Sequence, residues 1–117
     1  MLSPTASREA RSRLGALRAA TVRRAASLSH TFDGIVAAAS DVATDDEHDP
    51  EGATIAWERQ QIAALRDETA ITLAQIDAAE ERLADGTYGA CITCRSQIGA
   101  ARLEALPATP SCVRCAR

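Results

Sequence analysis

The chain has no lysine, few aromatic residues, no long apolar run and no cysteine before its last quarter. All 13 basic residues are arginine, which we read as a bias of coding composition rather than a physical signal. The formal net charge is -3, which argues against a general nucleic-acid binder. One Phe, one Trp and one Tyr in 117 residues are too few to build a typical compact globular core. No stretch approaches the roughly 18 apolar residues of a membrane span. Residues Met1 to Ala10 contain neither an apolar segment nor a cleavage pattern of a signal peptide, so a cytoplasmic protein is expected. Nothing suggests a Ser-His-Asp or Cys-His pairing, so an enzyme is not expected.

What the chain does have is four cysteines in two pairs. Cys91 and Cys94 form one C-x-x-C, and Cys112 and Cys115 form the second, giving C-x2-C-x17-C-x2-C with none left over. Two residues between cysteines let both sulfurs of a tight turn face one point. Two such turns supply four thiolates for a tetrahedral Zn²⁺ at about 2.3 Å each. The competing readings are two disulfides, which belong to oxidising compartments, or four free thiols, which would not need paired spacing. A rubredoxin-like iron site uses the same ligands, and spacing does not separate iron from zinc.

Alanine, leucine, isoleucine, arginine and glutamate dominate, as suits long helices. Residues 8 to about 40 read as one helix, with Leu14, Thr21, Leu28, Ile35 and Val42 at every seventh position. Leu17, Ala25, Phe32 and Ala39 flank them. Residues 53 to 84 read as a second helix, with Ile55, Ile62, Thr69, Ile76 and Leu83 at the same interval and Leu65, Leu73 and Ala79 widening the stripe. A sustained seven-residue repeat predicts a coiled coil, and two stripes joined by a short polar segment predict an antiparallel hairpin. Each arm of about 32 residues would be roughly 48 Å long. Threonine and alanine in the seam imply modest stability, which a zinc module closing the open end would improve. The expected fold is therefore all-α: a long antiparallel helical hairpin followed by a small C-terminal four-cysteine zinc finger. Its divisions are a flexible N-terminus at 1–7, the hairpin at 8–86 and the finger at 87–117.

The segment Thr44 to Gly52 reads as the turn, with Asp-Pro and Glu-Gly as breaker signals and Pro50 suited to a first helical turn. It is crowded with acids, and its plainest role is a solvated, capping loop. Asp85-Gly86 ends the second helix, and a short helical turn is expected between the knuckles, around Ile98 to Leu106.

The tail G-T-Y-G-A-C-I-T-C-R-S-Q-I-G-A-A-R-L-E-A-L-P-A-T-P-S-C-V-R-C-A resembles the zinc finger of the DksA/TraR family of bacterial transcription regulators. Tyr88-Gly89, the two C-x-x-C pairs, Ile98-Gly99, Arg102-Leu103-Glu104-Ala105 and Pro107 carry the resemblance. It extends by layout to the hairpin. It implies a regulator that docks on RNA polymerase and passes its coiled coil into the secondary channel toward the catalytic Mg²⁺. Acidic residues at the tip would then act on the open promoter complex, and in some members the alarmone ppGpp takes part. The finger and the coil base would meet the channel rim, for which Arg95 and Arg102 are candidates. The chain departs from the family pattern D-x-x-D-x-A at the tip. Counting back from Cys91 without gaps puts His48, Glu51 and Ala53 there; a shift of two residues puts Asp46, Asp49 and Glu51 there.

A second reading is a zinc-clamped hairpin that serves as an interaction module for another protein. Sequence-specific DNA binding is not expected, because the tip is acidic and no basic recognition helix appears. A monomer without membrane contact is expected. His30 and His48 read as solvated residues, and Trp57 as a partly exposed packing residue.

Overall fold

The computed structural model describes residues 2–40 and 50–116. Residues 41–49, which carry Asp46, His48 and Asp49 of the expected tip, lie outside the described residues. Three helices follow one another: α1 (Pro4–Ser40), α2 (Pro50–Asp85) and α3 (Ala100–Ala105). The described residues contain no strand beyond an isolated antiparallel bridge between Ala90 and Gln97.

α1 begins at Pro4, four residues before the start read from the heptads. The reason is local. The Ser3 hydroxyl accepts the Ala6 N–H at 3.1 Å, satisfying one of the helix's orphan donors, and Pro4 has no N–H to satisfy. Residues 4–7 therefore belong to the helix, and Leu2 packs against the core. α2 likewise begins at Pro50 rather than 53, so Pro50, Glu51 and Gly52 are helical and not part of the turn. Glu51 sits in the first turn, where a carboxylate complements the helix dipole. The far end of α2 is closed by Gly86 at φ 84, a conformation that glycine adopts without a Cβ penalty. Thr87 and Tyr88 N–H both return to the Arg82 carbonyl, at 2.9 and 3.1 Å. Asp85 accepts from the Thr87 hydroxyl and N–H, which holds its carboxyl below the usual range.

The chain divides into two compact units, Met1–Thr21 with Ile71–Arg117, and Val22–Ala70. In the first, α1 and α2 run antiparallel around Leu14 and Ile76, both wholly buried, with Ala10 and Ala79 beside them. Tyr88 and Ala108 of the tail complete this cluster, and Leu17, Leu73, Leu83 and Leu103 border it. Arg18 crosses from α1 to both Asp77 and Glu80 of α2, and the Asp77 bond above all raises its pKa. Buried Thr21 donates to the Leu17 carbonyl at 2.7 Å, so a polar group in the seam leaves no unmet hydrogen bond.

In the second unit, Leu28, Phe32, Ile35, Ile55, Ile62 and Leu65 are half-buried. The Arg66 guanidinium lies 4.7 Å over the Phe32 ring, a cation–π contact between the helices. Buried Thr69 donates to the Arg66 carbonyl. Trp57 remains 62% exposed, more than the packing role read from its position.

Gly15 and Gly34 sit inside α1, and a Cβ at either would meet nothing within 4 Å. Alanine loses less chain entropy in a helix, by about 1 kcal/mol per site. Gly15→Ala and Gly34→Ala are each expected to raise thermal stability, as followed by circular dichroism. A fall would mean that these glycines are needed for close approach.

Candidate metal centre

The tail builds two knuckles from hydrogen bonds that its own backbone supplies. In the first, Cys91 N–H donates to the Ser96 carbonyl at 2.8 Å, and Arg95 N–H returns to the Cys91 carbonyl at 3.0 Å. The turn closes through Arg95 at φ 66, a left-handed conformation that a side chain adopts at some cost. Ile98 N–H then reaches the Gly89 carbonyl at 2.9 Å. In the second knuckle, Cys115 N–H donates to the Cys112 carbonyl at 3.1 Å. Ile92 N–H joins the two by bonding the Pro110 carbonyl at 3.0 Å.

These turns aim four sulfurs at one point. The Sγ atoms of Cys91, Cys94, Cys112 and Cys115 all lie within 4.8 Å of one another. Cys94 and Cys112 sulfurs are 3.7 Å apart. A disulfide needs about 2.05 Å, whereas two corners of a zinc–thiolate tetrahedron with bonds of about 2.3 Å are about 3.8 Å apart. The four cysteines are accordingly unbridged, and the disulfide reading fails on distance. Ile98 and Leu103 wall the cluster on its inner side, where Cys91 and Cys112 are buried. Cys94 is exposed.

The electrostatics point the same way. Backbone N–H groups of Cys94 and then Cys112 lower the Cys91 thiol to about 5. The Ser96 side chain and then its backbone lower Cys94. Cys115, facing the other sulfurs with Cys112 foremost, is pushed up to about 12. Four thiolates cannot crowd one point unless a dication neutralises them. The donor set fits Zn²⁺ with all four positions taken by protein, which is the closed arrangement of a structural site.

Further links hold the finger to its support. The Tyr88 hydroxyl donates to the Pro107 carbonyl at 2.7 Å, and burial raises its pKa. Gly89 turns the chain at φ 97, a conformation that glycine adopts without a Cβ penalty. Arg102 is half-buried, and its guanidinium is engaged inside the finger, bonding the Ser111 carbonyl at 3.0 Å and the Thr109 hydroxyl at 3.4 Å. Arg95 is exposed and makes no side-chain bond to a described residue. Glu51 and Ala53, also exposed, belong to the other compact unit. The internal role of Arg102 was not visible in the sequence, because its acceptors lie seven and nine residues further on, across a turn.

Residues 86–117 match the family described as the prokaryotic dksA/traR C4-type zinc finger. The fold is similar to the solved structure of the transcription factor DksA2 from Pseudomonas aeruginosa, with a TM-score of 0.50 and 26% identity. That likeness covers 88% of this chain and 79% of the other, so it takes in helices and finger together. Residues 86–117 are thus a zinc finger of the DksA/TraR kind, carried on a DksA-like fold. Its four thiolates are a zinc site. An uncharacterised protein of Aquifex aeolicus (strain VF5) is 47% identical over 45 residues, 38% of this chain. The aligned part is 31% of that protein, so the chain matches less than a third of the Aquifex relative's length.

Proposed function

We propose that this protein is a zinc-binding regulator of bacterial transcription initiation of the DksA/TraR family. On this reading it binds RNA polymerase and inserts the turn between α1 and α2 into the secondary channel. The observation that carries the proposal is the likeness to a transcription factor over hairpin and finger together, rather than over the zinc module alone. Acids at the turn suit a site that holds Mg²⁺, since hard cations take carboxylate oxygens. Glu51 opens α2, and Asp46 and Asp49 precede it in sequence. Such a regulator works in the cytoplasm as a monomer. No helix among the described residues is long and apolar enough to cross a membrane.

Two other classes are less well supported. A DNA-reading role needs a basic helix, but α3 has six residues and its arginine is engaged with Thr109 and Ser111. Catalysis at the metal needs an open position, and a four-cysteine site offers none. The remaining alternative is a hairpin that docks on a different protein.

Capture on immobilised protein from a bacterial lysate separates these. Core RNA polymerase should be retained, and a known secondary-channel protein should compete it off. Recovery of some other partner without polymerase would favour the interaction module. Asp49→Ala and Glu51→Ala are expected to weaken the effect on transcription in vitro, with and without ppGpp, while capture of polymerase stays intact. Equal loss of capture would remove the tip assignment. Of the two candidate rim arginines, Arg95 has its charge free for a partner, so Arg95→Glu is the variant expected to reduce capture.

A further inference from the structure

The engaged guanidinium of Arg102 bears on the metal. We propose that Arg102 is a positioning residue for the zinc centre, acting on the Cys112 ligand through the one peptide plane that joins Ser111 to Cys112. Arg102 Nε donates to the Ser111 carbonyl at 3.0 Å, and the Thr109 hydroxyl donates to the same oxygen at 3.2 Å. A peptide unit is planar, and its C=O and N–H point in opposite directions. Fixing the oxygen of that unit therefore fixes where the Cys112 N–H points. The same unit leads into the Cα of Cys112, so it also sets the backbone from which that buried ligand sulfur projects, 3.7 Å from the sulfur of Cys94.

The root of the arginine is held as firmly as its head. Its own carbonyl accepts Leu106 N–H at 2.7 Å at the end of α3. The next residue, Leu103, packs against both the cysteine cluster and the hairpin core. Groups that orient metal ligands from outside the coordination shell typically change affinity by about 10–100-fold when removed. A lysine cannot replace Arg102, because it lacks the planar fork that meets Ser111 and Thr109 together.

The test uses the full chain as wild type, Arg102→Met, Arg102→Lys and, as a control, Arg95→Met. Zinc affinity is read by competition with a chromophoric chelator, and amide exchange of Cys112 and Cys115 by NMR on the zinc-loaded protein. Arg102→Met is expected to weaken zinc binding by about 10–100-fold and to speed exchange at Cys112 while leaving Cys115 unchanged. Arg102→Lys should fall with it, and Arg95→Met should match wild type. Unchanged zinc affinity in Arg102→Met, with polymerase capture lost, would overturn the proposal in favour of a rim contact. Full recovery in Arg102→Lys would also overturn it, because positive charge rather than the peptide lock would then be at work. Should Arg102→Met not fold even in excess zinc, the lysine variant decides by the same two readings. Failure of the wild type to bind zinc would be a separate result, striking the zinc site itself.

Discussion

Stripping the zinc with a chelator, or replacing Cys94 with Ser, is expected to unfold residues 86–116 and to loosen the base of the hairpin with them. The finger has little else to hold it. The cluster around the metal is Cys91, Ile98 and Cys112, with Leu103 and Cys115 against them, and three of those five are ligands. Structural zinc contributes roughly 10–16 kcal/mol in small finger peptides, far more than one isoleucine and one leucine can supply. Without the metal, nothing bonds the four sulfurs to one point, so they lose their common centre. The loss spreads because Tyr88 and Ala108, one shortly before each metal knuckle, are members of the hairpin core with Leu14 and Ile76. Once the Pro107–Ser111 segment moves, Tyr88 gives up its bond to the Pro107 carbonyl and Ala108 leaves the core. Amide exchange should therefore quicken at Ile76 as well as at Cys91. Zinc loading near neutral pH should release protons, seen as a binding heat that varies with buffer, because Cys115 starts protonated. A metal-free protein with wild-type melting and wild-type exchange at Ile76 would refute the coupling.

Leu14→Ala should be the most damaging single change in the helices. Leu14 is wholly buried where α1, α2 and the tail meet. Its removal leaves a cavity in a cluster that also holds Ile76 and Tyr88 with the small Ala10, Ala79 and Ala108. Buried Leu→Ala changes cost about 2–5 kcal/mol, the higher values where the site cannot collapse. Among the described residues, only Leu14 and Ile76 are large and wholly buried in the helices, and the same variant should release zinc more readily because the core it damages includes Tyr88. Val22→Ala is the matched control. Val22 is 50% exposed, and a surface change of this kind stays within about 0.5 kcal/mol. Equal effects from the two substitutions would mean that the hairpin base is not the core assigned here. Urea titration and chelator competition on the same samples measure both outcomes.

The hairpin was legible because a heptad pattern is a one-dimensional record of which helix face is buried. Leu14, Thr21, Thr69 and Ile76, all at seventh positions, are buried in the structure. The ligands were legible for a similar reason: a C-x-x-C turn needs no distant partner to present two sulfurs together. The helix starts were read several residues late because heptads report packing and not capping. Ser3-Pro4 and Pro50 open their helices by satisfying or lacking an N–H, whatever the seam does.

Local order along the chain settled the helices, the knuckles and the closing glycine at 86, since each depends on neighbours within a turn or two. Tertiary structure alone decided which groups separated by tens of residues meet: Arg18 with Asp77 and Glu80, Tyr88 with Pro107, and Tyr88 and Ala108 with the hairpin core. It also decided that Arg102 turns inward to Ser111 while Arg95 stays free, because two arginines of equal charge differ only in what the fold brings within reach of them.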